Sequence, residues 1–200
     1  MKVGRFEYNP SWARLVSDIL SPPVVWAALA FPIALKDAPS QWHALGWAAV
    51  YVTLVCVLPI LYIAWMVKRG QITDIHMRVR TQRIRPFMIS IVSTAIAWLT
   101  LRLMGAPSVM PLFALFSLVQ LAIMLVITLI WQISVHAISM SGATVALGVL
   151  FGLIPALIFA PLVILVGAAR IKLNRHTPAQ VIAGTAVGMV IPLLMFIVLV

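Results

Sequence analysis

Three short stretches carry nearly all the polar side chains in this sequence that could do chemistry. In "RVRTQRIRP", Arg78 and Arg85 are separated by six residues and followed by Pro86. In "ISVHA", Ser134 and His136 stand at the end of a long apolar run, where no charged neighbour accounts for a histidine. In "ARIKLNRHTPAQ", Arg170 is followed by His176 and then, one helical turn on, by Gln180. Guanidinium groups present rigid forks of donors that match phosphate oxygens, and helix N-termini add free backbone N–H groups and a positive dipole end. Two histidines beside such an anion site are the minimum equipment for covalent phosphoryl transfer. One ring attacks phosphorus and the other protonates the departing oxygen. Singly, each stretch has a plainer explanation, as a lipid-facing basic loop or as an interfacial histidine satisfied by a backbone carbonyl. Ionisable groups at a membrane edge are costly, so their joint occurrence points to a site.

The elements that must position these residues are membrane helices. Of the 200 residues, 64% are hydrophobic and 9% charged, and the mean hydropathy of +1.13 is beyond what a soluble domain reaches. Crossing a hydrocarbon core takes roughly 20 helical residues. Apolar runs of that length recur along almost the whole chain, leaving one membrane-embedded domain over 1–200 and an all-α, polytopic helical bundle. Hydropathy with proline, glycine and charge breaks places spans near Ile19 to Leu35, Ala44 to Val67, Pro86 to Met104, Ser108 to Trp131, Ala137 to Ile154, Leu157 to Ala169 and Pro178 to Val200. That makes seven spans, with six as the alternative. The stretch from His136 to Arg170 is too long for one crossing, and a tight helical hairpin near "GLIPA" resolves it.

This topology puts the loop Lys68 to Arg85, the region of His136, the loop Arg170 to Thr177 and an interfacial N-terminal arm, residues 1–15, on one side. That side holds Lys2, Arg5, Arg14, Lys68, Arg69, Arg78, Arg80, Arg83, Arg85, Arg170, Lys172 and Arg175, against Lys36 and Arg102 opposite. The positive-inside rule makes the rich side cytoplasmic, in a membrane of prokaryotic inner-membrane type. The net charge of +10 does not indicate nucleic acid, because the basic residues lie in short loops without interleaved aromatics. Anionic headgroups or a phosphorylated amphiphile are the expected partners. Cys56, the single cysteine, falls mid-helix and is expected to pack. Glu7, Asp18, Asp37 and Asp74 are too few and scattered for a magnesium site, and the "DIH" pair of Asp74 and His76 is read as loop-ordering.

The order and spacing of the three stretches resemble the signatures of the type-2 phosphatidic acid phosphatase superfamily of membrane phosphatases. Those run Lys-x6-Arg-Pro, Pro-Ser-Gly-His and Ser-Arg-x5-His-x3-Asp. This chain has Arg78-x6-Arg85-Pro86, Ile133-Ser134-Val135-His136 and Ala169-Arg170-x5-His176-x3-Gln180, with "VIAGTAVG" similar to the small-residue helix that follows the third signature. The resemblance implies His176 as nucleophile, forming a phosphohistidine, and His136 as general acid and then base. It implies Arg78, Arg85, Arg170 and Ser134 as phosphate ligands, and no metal or other cofactor. Where the family has aspartate this chain has Gln180, whose amide oxygen can accept the same hydrogen bond from the nucleophile's Nδ1–H but brings no negative charge. A slower or retuned phosphatase is expected.

A site of this kind at the membrane edge suits an amphiphile with its phosphate at headgroup level, a lipid phosphate or an isoprenoid (di)phosphate, the latter slightly preferred. A non-catalytic lipid-binding or assembly subunit is the alternative. A transporter is disfavoured because no acidic residue falls mid-span, and prenyl transfer because aspartate-rich magnesium motifs are absent.

Overall fold

The computed structural model describes residues 11–199, with side chains described as far as residue 194. Lys2, Arg5, Glu7 and most of the expected N-terminal arm lie outside the described residues. Those described form eight helices and no strand: Trp12–Ile19 (α1), Pro22–Leu35 (α2), Gln41–Lys68 (α3), Arg80–Leu103 (α4), Val109–Ile130 (α5), Val135–Phe151 (α6), Leu153–Lys172 (α7) and Pro178–Leu199 (α8). Helices α3, α4, α5 and α7 are long and apolar enough to cross a membrane, and α1 with α2 would add a fifth, broken crossing. The chain is thus an all-α protein with the spans of an integral membrane protein.

Among the residues described with side chains, four helices, or five with the bent pair, pass as spans where seven were expected. The first expected span is a pair of helices bent by 45°. Ser21, Pro22 and Pro23 cause the bend, since proline is accommodated at the first turn of α2 but cannot continue α1. At 17 residues, α6 is short of a full crossing, whereas α8, at 22 residues, has the length expected of the last span. The reason is environment. Eleven of the 17 residues of α6 are buried, so neighbouring helices rather than lipid sheathe it, and the hydrocarbon thickness does not set its length. The hairpin near "GLIPA" is present: Gly152, at φ +95°, separates α6 from α7 in a conformation open to glycine and strained for other residues.

Helix α6 packs chiefly on α7 and α8, and the small residues of "VIAGTAVG" explain how closely. A Cβ on Gly184 would lie 2.7 Å from the Ser134 carbonyl oxygen, and one on Gly188 would run into Ser141 Oγ and the Ile138 carbonyl. Backbone thereby meets backbone, as small residues permit between membrane helices. In α3, a π-helical turn at Val52–Val57 precedes Pro59, whose ring and missing N–H preclude regular α-helical bonding there. Helix α1 is amphipathic, with Trp12, Leu15 and Ile19 exposed and Ser17 buried. It lies against α7, where Lys172 Nζ sits 4.9 Å above the Trp12 ring.

Candidate phosphate site

One cavity of about 400 Å³ gathers residues from all three chemically distinctive stretches. Its polar end is lined by Asp18, His76, Arg83, His136, Arg170 and His176; the rest is mostly apolar, walled by α2, α3, α4, α5 and α6. His136 and His176, 40 residues apart in sequence, thus face the same space, with exposures of only 7% and 6%.

Each polar group is positioned by local structure. Ser134 is the N-cap of α6: its hydroxyl accepts from Ala137 N (3.4 Å), and its own N–H donates to the Gln180 carbonyl (3.1 Å). His136 therefore sits in the first turn of α6, at a height set by α8. Arg170 occupies the last turn of α7, and the chain turns through Asn174, at φ +51°, before Pro178 opens α8. His176 lies in that connection. Its Nδ1 is 3.1 Å from Gln180 Oε1, which also accepts from Thr177 N at 3.1 Å. An amide oxygen that already accepts a backbone N–H makes Nδ1 the protonated nitrogen of the ring, leaving the Nε2 lone pair for chemistry. The expected contact between His176 and Gln180 is thus formed.

The first stretch behaves differently. Arg78 and Arg85 are exposed and do not line the cavity. Arg83 does so in their place, at 3% exposure, donating from Nε to the Met77 carbonyl (2.9 Å) and from Nη1 to the Ile133 carbonyl (3.4 Å). The cause is a 3-10 turn at Arg80–Arg83 before the α-helical part of α4, which changes the angular step per residue and rotates the third arginine of the run, not the first or last, inward. Arg80 anchors this turn on the carbonyls of Thr128 and Leu129 at the end of α5, and Gln132 Nε2 donates to the Arg78 carbonyl (3.1 Å). Ser134 is also not at the cavity; its hydroxyl is engaged as a cap. Its expected contribution to phosphate binding becomes that of holding His136.

Ser17, Asp18 and His76 line or hold the polar end of the cavity although the sequence reading assigned none of them to the site. Arg170 Nη1 donates to Ser17 Oγ (2.7 Å), and His136 Nε2 lies 3.1 Å from the Ser17 carbonyl, to which it donates, and 3.4 Å from Ser17 Oγ. One residue of α1 thereby engages both groups. His76 Nε2 is 3.6 Å from Asp18 Oδ1, and its ring centroid is 6.2 Å from that of His136. Asp74 accepts from His76 N (2.8 Å) and pairs with Arg175 (3.3 Å), tying the loop before α4 to the loop before α8, so the loop-ordering expected of the "DIH" pair is visible in Asp74. The available signal was a polar Ser-Asp pair in a helix that otherwise shows lipid an apolar face.

The electrostatics favour an anion. Arg83 and Arg170 are both nearly fully buried, yet neither forms an ion pair with a carboxylate among the described residues. Arg170 Nε has no hydrogen-bond partner at all. A buried guanidinium without a carboxylate partner is unstable unless an anion completes it. Burial, then the nearby Arg83 and Arg170, push His176 down to about 4, against smaller upward effects of Gln180 and the Gln132 carbonyl. His76 is also lowered, by burial and then by Arg170 and Arg175. His176 is accordingly a neutral imidazole at pH 7. Among the described residues no three His, Cys, Asp or Glu side chains come together as a metal site. No protein-family model, curated protein or solved structure matches this chain.

Proposed function

We propose that the protein is a membrane lipid phosphatase that works through a phosphohistidine at His176, with a mechanism and core like those of the type-2 phosphatidic acid phosphatases. The observation that carries this reading is the shared cavity. Three histidines, Asp18 and two buried arginines that pair with no carboxylate line its polar end, and an apolar chamber sized for hydrocarbon continues from it.

In this reading the phosphate of an amphiphile is held by Arg170, through its unpartnered Nε, and by Arg83, in the role first expected of Arg78 and Arg85. To reach Arg170 Nη1 and His136 Nε2, substrate oxygens take over from Ser17. His176 Nε2 attacks phosphorus and the bond to the leaving oxygen breaks. His136, as imidazolium beside the bound dianion, gives that oxygen its proton. Neutral His136 then takes a proton from water, the water oxygen bonds to phosphorus, and the phosphorus–nitrogen bond breaks to release phosphate and neutral His176. Gln180 keeps the His176 ring in the attacking tautomer. Without a carboxylate there, the positive charge that builds on the ring during attack is less well compensated, so turnover is slower than an aspartate would allow. The rich-in-arginine end of the bundle faces the cytoplasm by the charge asymmetry.

The test is phosphate release from a panel of lipid phosphates and prenyl diphosphates in EDTA by wild type and His176→Ala. Release by wild type that is lost in the variant supports the assignment; release that survives refutes the nucleophile. No release from any substrate, with binding retained, favours a lipid-binding subunit. The engagement of His136 and Arg170 by Ser17 is the observation on that side.

A further inference from the structure

The apolar chamber contains two polar side chains that have no hydrogen-bond partner and that the phosphate chemistry does not use. Gln120 on α5 and Ser139 on α6 both line it, with exposures of 4% and 2%, and neither Gln120 Nε2 nor Ser139 Oγ has a hydrogen-bond partner. Elsewhere this bundle satisfies its buried hydroxyls as a rule. Ser141 and Thr144, on the same helix as Ser139, donate to the carbonyls of Ala137 and Met140 (2.8 and 2.9 Å). Ser117, which also faces the chamber, donates to the Phe113 carbonyl (3.0 Å) and pairs with Tyr51 Oη (2.7 Å). Thr94 Oγ1 is likewise unpartnered but does not line the cavity. Leaving a buried donor unmade costs about 1–3 kcal/mol, so two facing one chamber call for a ligand group that completes them.

Their depth identifies that group. Ser139 is three residues beyond His136 on α6, a rise of about 4.5 Å. The Gln120 amide rests over Gly142, with Nε2 3.2 Å from where a Cβ would stand, and Gly142 is six residues beyond His136, a rise of about 9 Å. A donor pair at that depth lies just below a phosphate held by Arg170, and both groups can donate to an oxygen. A polyprenyl chain has no acceptor there. The acyl ester carbonyls of a glycerolipid come a few bonds beyond the phosphate ester, at this level.

We infer that Gln120 and Ser139 form a carbonyl-binding subsite that selects acylglycerol phosphates over isoprenoid phosphates. This rests on the phosphate site proposed above for the headgroup but not on turnover. It also reverses the slight preference for isoprenoids drawn from sequence.

Binding is the appropriate readout. Affinities of diacyl- and dialkylglycerol phosphonates, which resist hydrolysis and differ only in the ester carbonyls, would be measured in detergent micelles for wild type, Gln120→Met, Ser139→Ala and the double variant. Wild type should prefer the diacyl compound by about tenfold, the ratio expected for a hydrogen bond or two, and the double variant should bind both alike. Because the substitutions remove unmade donors, the variants should unfold at the same or a higher temperature than wild type, which separates loss of the subsite from loss of the fold. Equal affinities in wild type, or a preference that persists in the double variant, would overturn the subsite. Diacyl preference without phosphate release from any lipid would uphold the subsite while removing the phosphatase reading.

Discussion

The first and third chemically distinctive segments look alike in sequence and end up differently in space. Each pairs basic residues at an interval that resembles a phosphatase signature. In the third, Arg170, His176 and Gln180 all reach the site or hold a residue that does. In the first, Arg78 and Arg85 face outward and Arg83 between them lies at the cavity. The third segment runs from the last turn of α7 through five residues to the first turn of α8, and both helices are locked to α6. Its spacing translates directly into distance. The first runs from an irregular loop containing Met77 at φ +47° into a 3-10 turn, where counting residues does not say which way a side chain points. A spacing motif is evidence of geometry only where regular, anchored elements carry it.

The sharpest way to break this contrast is at the arginines. Arg83→Ala should lower kcat/KM by about 10²–10³-fold, as loss of an oxyanion donor does, while Arg78→Ala and Arg85→Ala stay within about threefold of wild type. A large loss at Arg85 and none at Arg83 would restore the spacing of the signature over the geometry. Next comes the anchor of the third segment. Gly184→Val forces a side chain against the Ser134 carbonyl and should cost about 1–3 kcal/mol of stability, read as a lower unfolding temperature in detergent.

Gln180 tests the orientation of the nucleophile. Gln180→Ala should lower kcat about tenfold, the lower end for loss of a group that aids proton transfer. Gln180→Asp should raise turnover and shift the pH profile. Protonated His176 has no lone pair, so the rate falls as pH drops through its pKa, near 4 in wild type; a carboxylate at Nδ1 favours the imidazolium and moves that acid limb to higher pH. The same depression has a consequence for stability: between about 6.5 and 4 the unfolded chain binds more protons at His176 than the folded one, so stability falls as pH is lowered through that window, and the lowering of His76 acts in the same direction. The smallest effect is expected from Asp74→Asn, which weakens the tie to Arg175 between the two loops and should raise KM a few-fold with kcat little changed.

Much of this was legible in the residues themselves. The helical character and the hairpin at Gly152 follow from periodicity and a glycine break, the convergence of His136 with His176 and Arg170 from the order of the spans, and the pairing of His176 with Gln180 from the resemblance of the third stretch to a phosphatase signature. The length of α6 was not legible, because hydropathy cannot distinguish a helix buried in protein from one buried in lipid. Ser17 was hidden for a related reason: nothing in a short amphipathic helix before a proline pair announces that it will fold back over the polar end of the bundle. Gln120 and Ser139 read as isolated polar residues in apolar runs, and only the cavity shows that they face one space.

Trapping the covalent intermediate tests the central claim most directly. Wild type and His176→Ala would be mixed with a lipid phosphate labelled with 32P, quenched within milliseconds in alkali, and the protein-bound label mapped by proteolysis. Attack by His176 predicts an alkali-stable, acid-labile label on the peptide that contains His176, absent from the variant. Phosphate release by wild type with no label on that peptide, or a label retained when His176 is alanine, would contradict it.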